Sequence, residues 1–403
     1  MTVGLIDLIL KQEIQEFIRS HEQDDVHKLL LKKKTVLGVP TKQIAQQIIG
    51  IRKAQSKLPL WYNAEGIIYP PAINLEQSSS EATAQFKLRL LEGLFQTSPV
   101  IADLTGGFGI DTYFLSQYAK EVHYVEPDQN LLEITKHNHY ALGATNITYH
   151  NQSAESFLAS SKENPAFLYF DPSRRKGTKK VFKLANCEPN VTELQSKYFI
   201  GVNHILIKAS PLLDLQQGSK ELADVKTIFV VAVENECREL LFYIQPGFRG
   251  EPTIRAVDLN RNGKILNDCN FSFGEEKKSI ATFSQPLSYL YEPNTAILKG
   301  GAFKWVAQKY EISKLAPNTH LYTSDKSIDN FPGRIFKTLH LAKPDKNLIK
   351  LFPEGYANIL TRNYPLSVEE IKKKTGLKEG GEQYLICTQT EKEKIVLIAD
   401  RLK

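Results

Sequence analysis

Three acids and a cluster of glycines stand where ligand chemistry is usually done. The stretch VIADLTGGFGIDTY (residues 100–113) is a short apolar run that ends in Asp103 and is followed at once by Thr105, Gly106, Gly107 and Gly109. A buried strand, a glycine turn and the start of a helix in that order make a socket for a nucleotide-like ligand, because glycines let the backbone approach it closely. A pyrophosphate-binding turn wants G-x-G-x-x-G, whose third glycine packs helix on strand. Here that position is Thr112, with Asp111 beside it, and an acid in the first helical turn sits poorly against phosphate. Adenosylmethionine has no phosphate, and its methionine end carries an ammonium that wants a carboxylate. Asp103 is placed to supply one.

The second apolar run ends HYVEPD, which puts Glu126 where a carboxylate can accept from both ribose hydroxyls. That feature is shared with dinucleotide enzymes. The third ends HNQSAESFL, so Ser153 and Ala154 fall beside the adenine position, where many adenosylmethionine enzymes carry an acid instead of Ser153. The fourth, FLYFDPSRRKG, ends in Asp171-Pro172, at the point where open parallel sheets bind their substrates. Asp171 is expected at the transfer point, and Arg174 and Arg175 are suited to phosphate oxygens. Lys208 closes the fifth run and is expected to contact an acceptor phosphate, with an ion pair back to the sheet as the alternative.

The acceptor is less legible. An exocyclic amine calls for a D/N-P-P-Y type motif. Asp171-Pro172-Ser173-Arg174 keeps the carboxylate but lacks the second proline and the aromatic. Carbon-5 methylation of a pyrimidine needs a cysteine nucleophile. The run after Lys208, ASPLLD, has none, while Cys187 reads as a loop thiol and Cys237 as packing. The histidines show no metal spacing, so no metal is expected.

These residues need elements to hold them. Strand-like runs at 100–104, 122–126, 147–150, 167–171, 204–208 and 227–233 alternate with helical stretches near 110–118, 129–142, 154–160 and 188–197, the signature of a parallel sheet wound on both faces. Residues 227–245 break the alternation: two strand-like runs joined by only three residues must form an antiparallel hairpin. Upstream, residues to about 58 read as helical. Ser78, Glu81 and Gly93 read as a capping box and stop for the helix that precedes the first strand. After Pro246 short β-like pieces give way to mixed elements, with a basic helix expected over 367–377.

Composition bounds the function class. At 403 residues the chain is long enough for two or three domains. It has no apolar run that would span a membrane and no signal-peptide pattern at its N-terminus. Four scattered cysteines argue against disulfide or zinc frameworks and for a reducing cytoplasm. Residues 281–403 hold 19 Lys+Arg against 13 Asp+Glu, whereas residues 1–280 balance at 32 of each. A basic module attached to a neutral one hints at a nucleic-acid partner, with a solvated lysine-rich surface as the plain alternative.

Taken together, the strand-end acids, the glycine turn and the terminal hairpin resemble a class I adenosylmethionine-dependent methyltransferase. EQSSSEATAQFK (76–87), ADLTGGFGIDT (102–112), YFDPSRR (169–175), YLYEPNTAILKGGAFK (289–304) and ANILTRNYPLS (357–367) are similar to a bacterial group of such enzymes with ferredoxin-like and THUMP-like C-terminal domains. The resemblance spans most of the chain. It implies an α/β fold with four parts: a helical region (1–78), a Rossmann-like core (79–246) whose seven-stranded sheet has an antiparallel last strand, a β-hairpin extension with a ferredoxin-like piece (247–318), and a THUMP-like domain (319–403). It also implies S-adenosyl-L-methionine as cofactor, held by Asp103, Thr105, Gly106, Gly107, Gly109, Glu126, Ser153 and Ala154, and tRNA or rRNA as partner. The aromatics near 289–305 are expected in the core, and Asn358, Arg362 and Asn363 are assigned a possible RNA contact. The runner-up is a protein or small-molecule acceptor, with the C-terminal module used for protein interaction.

Overall fold

The structure, a computed structural model, describes residues 3–32, 34–160, 164–173, 175–176, 179–180, 183–199, 201–342, 346–352 and 354–402. The apolar runs form strands β1 (Val100–Asp103), β2 (Glu121–Val125), β3 (Ile147–His150), β4 (Phe167–Phe170), β5 (His204–Ala209), β6 (Val225–Val233) and β7 (Glu236–Ile244). Their neighbours run β6-β7-β5-β4-β1-β2-β3. β3, β2, β1, β4 and β5 pair in parallel. β7 lies antiparallel against β5, with Leu240 opposite Ala209 and Ile244 opposite Ile205. The turn from β6 to β7 holds Glu234 and Asn235 at φ of 52° and 61°, the left-handed pair that suits a two-residue hairpin. The seven expected strands are therefore present with an antiparallel last strand, within a sheet that has nine strands among the described residues.

Burial explains the pattern of the central strands. All four residues of β4 are buried, as are Ile101 and Ala102 of β1, so helix-covered strands read as unbroken apolar runs. From β1 the chain passes to β2 and β3 on one side, and from β4 to β5 on the other. The carboxyl ends of β1 and β4 flank that switch point, where open α/β sheets bind ligands.

Met1–Val233, Arg238–Gly250 and Leu259–Lys264 make one compact unit. In its N-terminal part, helix α1 (Thr41–Lys57) buries Ile44, Ile48 and Ile51 at helical spacing. Helix α2 (Glu81–Leu94) corrects one expectation. Its cap is Ser80, which accepts from the Thr83 N–H, and not Ser78, and it runs one residue past Gly93. Glu81 does not close a capping box. It accepts from the Leu60 N–H at 2.5 Å, at the start of the short helix Pro59–Asn63, so it caps a neighbour. Helices α3 (Ile110–Ser116), α4 (Gln129–Ala141) and α5 (Ala154–Ser160) follow β1, β2 and β3.

The second unit comprises Glu234–Cys237, Glu251–Asp258 and Ile265–Lys403. Strands β8 (Thr253–Leu259) and β9 (Ile265–Ser272) are followed by β10 (Tyr289–Pro293), β11 (Ser313–Ala316), β12 (Thr319–Ser324), β13 (Gly333–Ala342), β14 (Tyr356–Thr361), β15 (Lys378–Gln389) and β16 (Lys394–Arg401). The last seven form one sheet in the order β11-β12-β10-β13-β16-β15-β14, antiparallel except between β14 and β15. Helix α6 (Val368–Thr375) is the expected basic helix, with a capping box from Ser367 and Glu370 and Gly376 at its C-terminus at φ 81°. Among the described residues no helix is long and apolar enough to cross a membrane.

Candidate active site

The glycine turn is pinned from several sides. Tyr124 on β2 donates its hydroxyl to the Gly107 carbonyl at 2.6 Å, and Thr135 on α4 donates to the same oxygen at 3.0 Å. His139 Nε2 lies 2.8 Å from the Gly109 carbonyl and its Nδ1 lies 3.0 Å from the Tyr149 hydroxyl. The carbonyl can only accept, so Nε2 carries the proton and Nδ1 accepts from the tyrosine. Burial pushes His139 down to about 4, which keeps it neutral. A Cβ at Gly106 would stand 2.2 Å from the Tyr124 ring. Gly109 sits at φ +74°, and a Cβ there would meet Thr135 and His139. Both positions therefore require glycine.

Two buried carboxylates flank that turn. Asp103 accepts from the Thr105 N–H at 3.1 Å and the Thr112 hydroxyl at 2.6 Å. Burial pushes it up to about 7; the charges of Asp111 and Asp171 add to the rise and its two hydrogen bonds oppose it. Glu126 accepts from the Gly107 N–H at 3.0 Å and the Asp128 N–H at 2.8 Å, and burial again raises it. Among the described residues no lysine or arginine forms an ion pair with either. Asn151, which the sequence did not single out, donates to the Glu126 and Pro127 carbonyls at 3.0 Å and ties the end of β3 to the end of β2. Ser153 caps α5 through the Ser156 N–H at 3.2 Å, and Ala154 is buried behind it.

The β4 and β5 ends carry a different chemistry. Thr105 accepts from the Asp171 N–H at 2.5 Å, which links the tips of β1 and β4. Lys208 donates to Asp171 Oδ2 at 2.6 Å and to Ser79 Oγ at 3.0 Å. Lys87, fully buried on α2, donates to Ser79 at 3.1 Å and Asp111 Oδ1 at 3.0 Å, and lies 2.8 Å from Glu239 Oε1 on β7. Asp111 Oδ2 accepts from Ser79 and from Tyr169, both at 2.7 Å. Burial works against the Asp111 charge, but Lys87 and Lys208 outweigh it and hold its carboxyl below the usual range. Burial also opposes the charge on Lys208, yet Asp171, Glu239 and Asp111 together raise it above the usual lysine range.

Asp103, Thr105, Gly106, Gly107, Gly109 and Glu126 thus meet at one rim, with Ser153 and Ala154 at the end of β3. Asp171 and Lys208 sit beside them. Arg174 lies outside the described residues. Arg175 pairs by its backbone with Lys180 in a short two-stranded piece, and its side chain is not described. Ser79, Lys87, Tyr169 and Glu239 were missed, because an interior lysine among leucines gives no local signal that acids will surround it. In the second unit Arg362 pairs with the buried Glu292 at 2.5 Å, Asn363 donates to Thr319 at 3.0 Å and Asn358 donates to the Gly381 carbonyl at 2.7 Å. These three are engaged within their own sheet. Of the aromatics expected in the core near 289–305, Tyr291 is buried, whereas Tyr289, Phe303 and Trp305 are only half-buried. No group of three or more described His, Cys, Asp or Glu residues could hold a metal ion.

A crystal structure of a provisionally assigned methyltransferase from Porphyromonas gingivalis W83 is 29% identical, with a TM-score of 0.84, covering 98% of this chain and 99% of that one. The chain shares the fold and architecture of that methyltransferase. An uncharacterised S-adenosylmethionine-dependent methyltransferase of Mycobacterium tuberculosis, matched alike in strains CDC 1551 and H37Rv, is 20% identical over 308 residues. The match covers 75% of this chain and 80% of the relative. A ferredoxin-like domain model matches residues 289–332 of this chain, and a THUMP domain-like model matches residues 333–401.

Proposed function

We propose that the protein is an S-adenosylmethionine-dependent methyltransferase acting on RNA, with tRNA or rRNA as the acceptor. The observation that carries the cofactor reading is the pair of buried carboxylates, Asp103 and Glu126, on either side of a turn that needs glycine at Gly106 and Gly109, with no basic residue among the described ones paired to either. Such a donor set suits a cationic amino-acid end on Asp103 and a ribose diol on Glu126, and it repels a pyrophosphate. When bound, the cofactor supplies an electrophilic methyl group on a sulfonium. Thr105, Gly106, Gly107 and Gly109 line its approach, and Ser153 and Ala154 border its base. Asp171 stands at the transfer point, and Lys208, Arg174 and Arg175 meet the acceptor. Enzymes of this kind gain rate mainly by aligning acceptor, methyl and sulfur in line.

The RNA reading is supported by the THUMP-like match and by the basic excess of residues 281–403. Residues 79–246 are the catalytic core in this reading. Four cysteines scattered along the chain fit a reducing cytoplasm.

Titration calorimetry with adenosylmethionine, adenosylhomocysteine and NAD tests the cofactor. Binding of the first two alone is expected, and binding of NAD alone would end this reading. For the acceptor, binding of unmodified tRNA and rRNA transcripts is expected to weaken steeply with salt, because phosphate contacts release counterions. Salt-insensitive or absent binding would favour a protein or small-molecule acceptor.

A further inference from the structure

Resting on the RNA reading, we infer that the methyl acceptor is a hydroxyl oxygen, the ribose 2′-hydroxyl, and that Asp171 and Lys208 handle its proton and charge. Asp171 and Lys208 are the outer end of an ionic network that reaches from the buried interior to the rim. Lys87 and Glu239 lie at its inner end with side-chain exposures of 0% and 3%, while Lys208 and Asp171 keep 11% and 31%. The members come from α2, α3, the tip of β4, β5 and β7. Taking charges out of water costs several kcal/mol per ion, and apolar residues of the same volume would hold these elements as well. A network that ends beside the proposed transfer point is therefore better explained by the chemistry done there.

That chemistry discriminates between acceptors. A lysine ammonium has three N–H donors. Two of those on Lys208 go to Asp171 and Ser79, and the third has no partner among the described residues. Facing an amine, that donor would occupy the single lone pair that must attack the methyl group. Facing a hydroxyl oxygen, it occupies one lone pair, leaves another for attack, and stabilises the negative charge that develops as the proton departs. Asp171 Oδ2 is held by Lys208, and Oδ1 has no partner among the described residues, so it can take the proton. The amine alternative also lacks its stacking aromatic, since the fourth position of Asp171-Pro172-Ser173-Arg174 is an arginine. The carbon alternative lacks a thiol on the β5 tip.

The step balances without a further reactant. A lone pair on the hydroxyl oxygen forms a bond to the methyl carbon as the carbon–sulfur pair returns to sulfur. The hydroxyl proton passes to Asp171 Oδ1 and then to water. Lys208 stays protonated throughout, which agrees with the acids that raise it. Lys87, Asp111 and Glu239 act as positioning residues: they fix Ser79, which with Asp171 fixes the Lys208 ammonium.

The test uses the full chain, adenosylmethionine labelled with tritium on the methyl group, and tRNA and rRNA transcribed in vitro. A methylated 2′-oxygen cannot cleave its own phosphodiester, so after alkaline hydrolysis the label is expected in alkali-stable dinucleotides. Label in mononucleotides would mean base methylation and would overturn the inference while leaving the RNA reading intact. No label in either pool, with adenosylhomocysteine still bound, would overturn the RNA reading and this inference with it. Lys208→Ala is expected to lower the single-turnover rate about 100-fold, with adenosylhomocysteine affinity within about twofold of wild type. Lys208→Gln keeps two donors without the charge and serves if the alanine variant melts early. An unchanged rate in a folded variant would reduce Lys208 to a structural ion pair.

Discussion

The two halves of the catalytic rim hold their carboxylates in opposite ways. At the β1–β2 end, Asp103 and Glu126 accept only backbone N–H groups and a hydroxyl, and both are raised by burial. At the β4–β5 end, Asp111, Asp171 and Glu239 face Lys87 and Lys208. Unmatched negative charge marks where a cationic ligand would complete the site. Matched charge leaves no such vacancy, and on the proposed reading it is where the acceptor's proton is handled. The same principle separates the units. In the second, buried Glu292 pairs with Arg334 and Arg362, which remain 24% and 38% exposed at their side chains and so act at a sheet surface.

The largest effect is expected from Lys87→Met, which leaves Asp111 and Glu239 buried without their cation. Loss of about 3–5 kcal/mol is expected, read by urea denaturation. A loss below 1 kcal/mol would mean that water reaches the cluster and that the contrast between the halves is overstated.

Asp103→Asn acts on the unmatched half and is expected to move two quantities in opposite directions. Asparagine can still accept from the Thr105 N–H and can donate its amide N–H to the Thr112 hydroxyl, but it carries no charge, so adenosylhomocysteine affinity is expected to fall by about 100-fold. Because the folded carboxyl is raised from 3.8 to about 7, its burial opposes folding increasingly as pH rises from 4 to 7 and constantly above that. At pH 8 the variant is therefore expected to be more stable than wild type, on the order of 2 kcal/mol. A variant less stable than wild type at pH 8 would show that the charge is already compensated.

The same carboxyl should give the wild-type enzyme a pH signature. Below about pH 7 Asp103 is protonated and cannot receive an ammonium, so calorimetric affinity should decline about tenfold per unit. Flat affinity from pH 5.5 to 8 would remove Asp103 from the binding site. The smallest effect is expected from Arg362→Ala, at about 1 kcal/mol or less, since its exposed guanidinium is screened and Arg334 still covers Glu292. A loss as large as that of Lys87→Met would erase the distinction between the units.

Much of the fold was legible because its signals are local. Alternating apolar runs and helical periods predicted seven of the nine strands of the first sheet to within a few residues, and missed that residues 253–259 and 265–272 join it. A short ENE link between two apolar runs left no room for a crossover, and the hairpin followed. Glycines at Gly106 and Gly109 report backbone conditions that no other residue meets. The helix cap was misplaced by two residues because three serines stand in a row. Which one caps depends on Ser79 being drawn to Asp111 and Glu81 to Leu60, and both partners are distant in the chain.

The sequence by itself determined the sheet, the glycine turn and the strand-end acids of the site, since each follows from neighbours within about a dozen positions. Only the tertiary structure decided what those acids face. Lys87 meets Asp111 across 24 positions and Glu239 across 152, because the antiparallel β7 is inserted next to β5. A charge energy depends on distance in space and on the water removed, and neither quantity is written in the order of the residues.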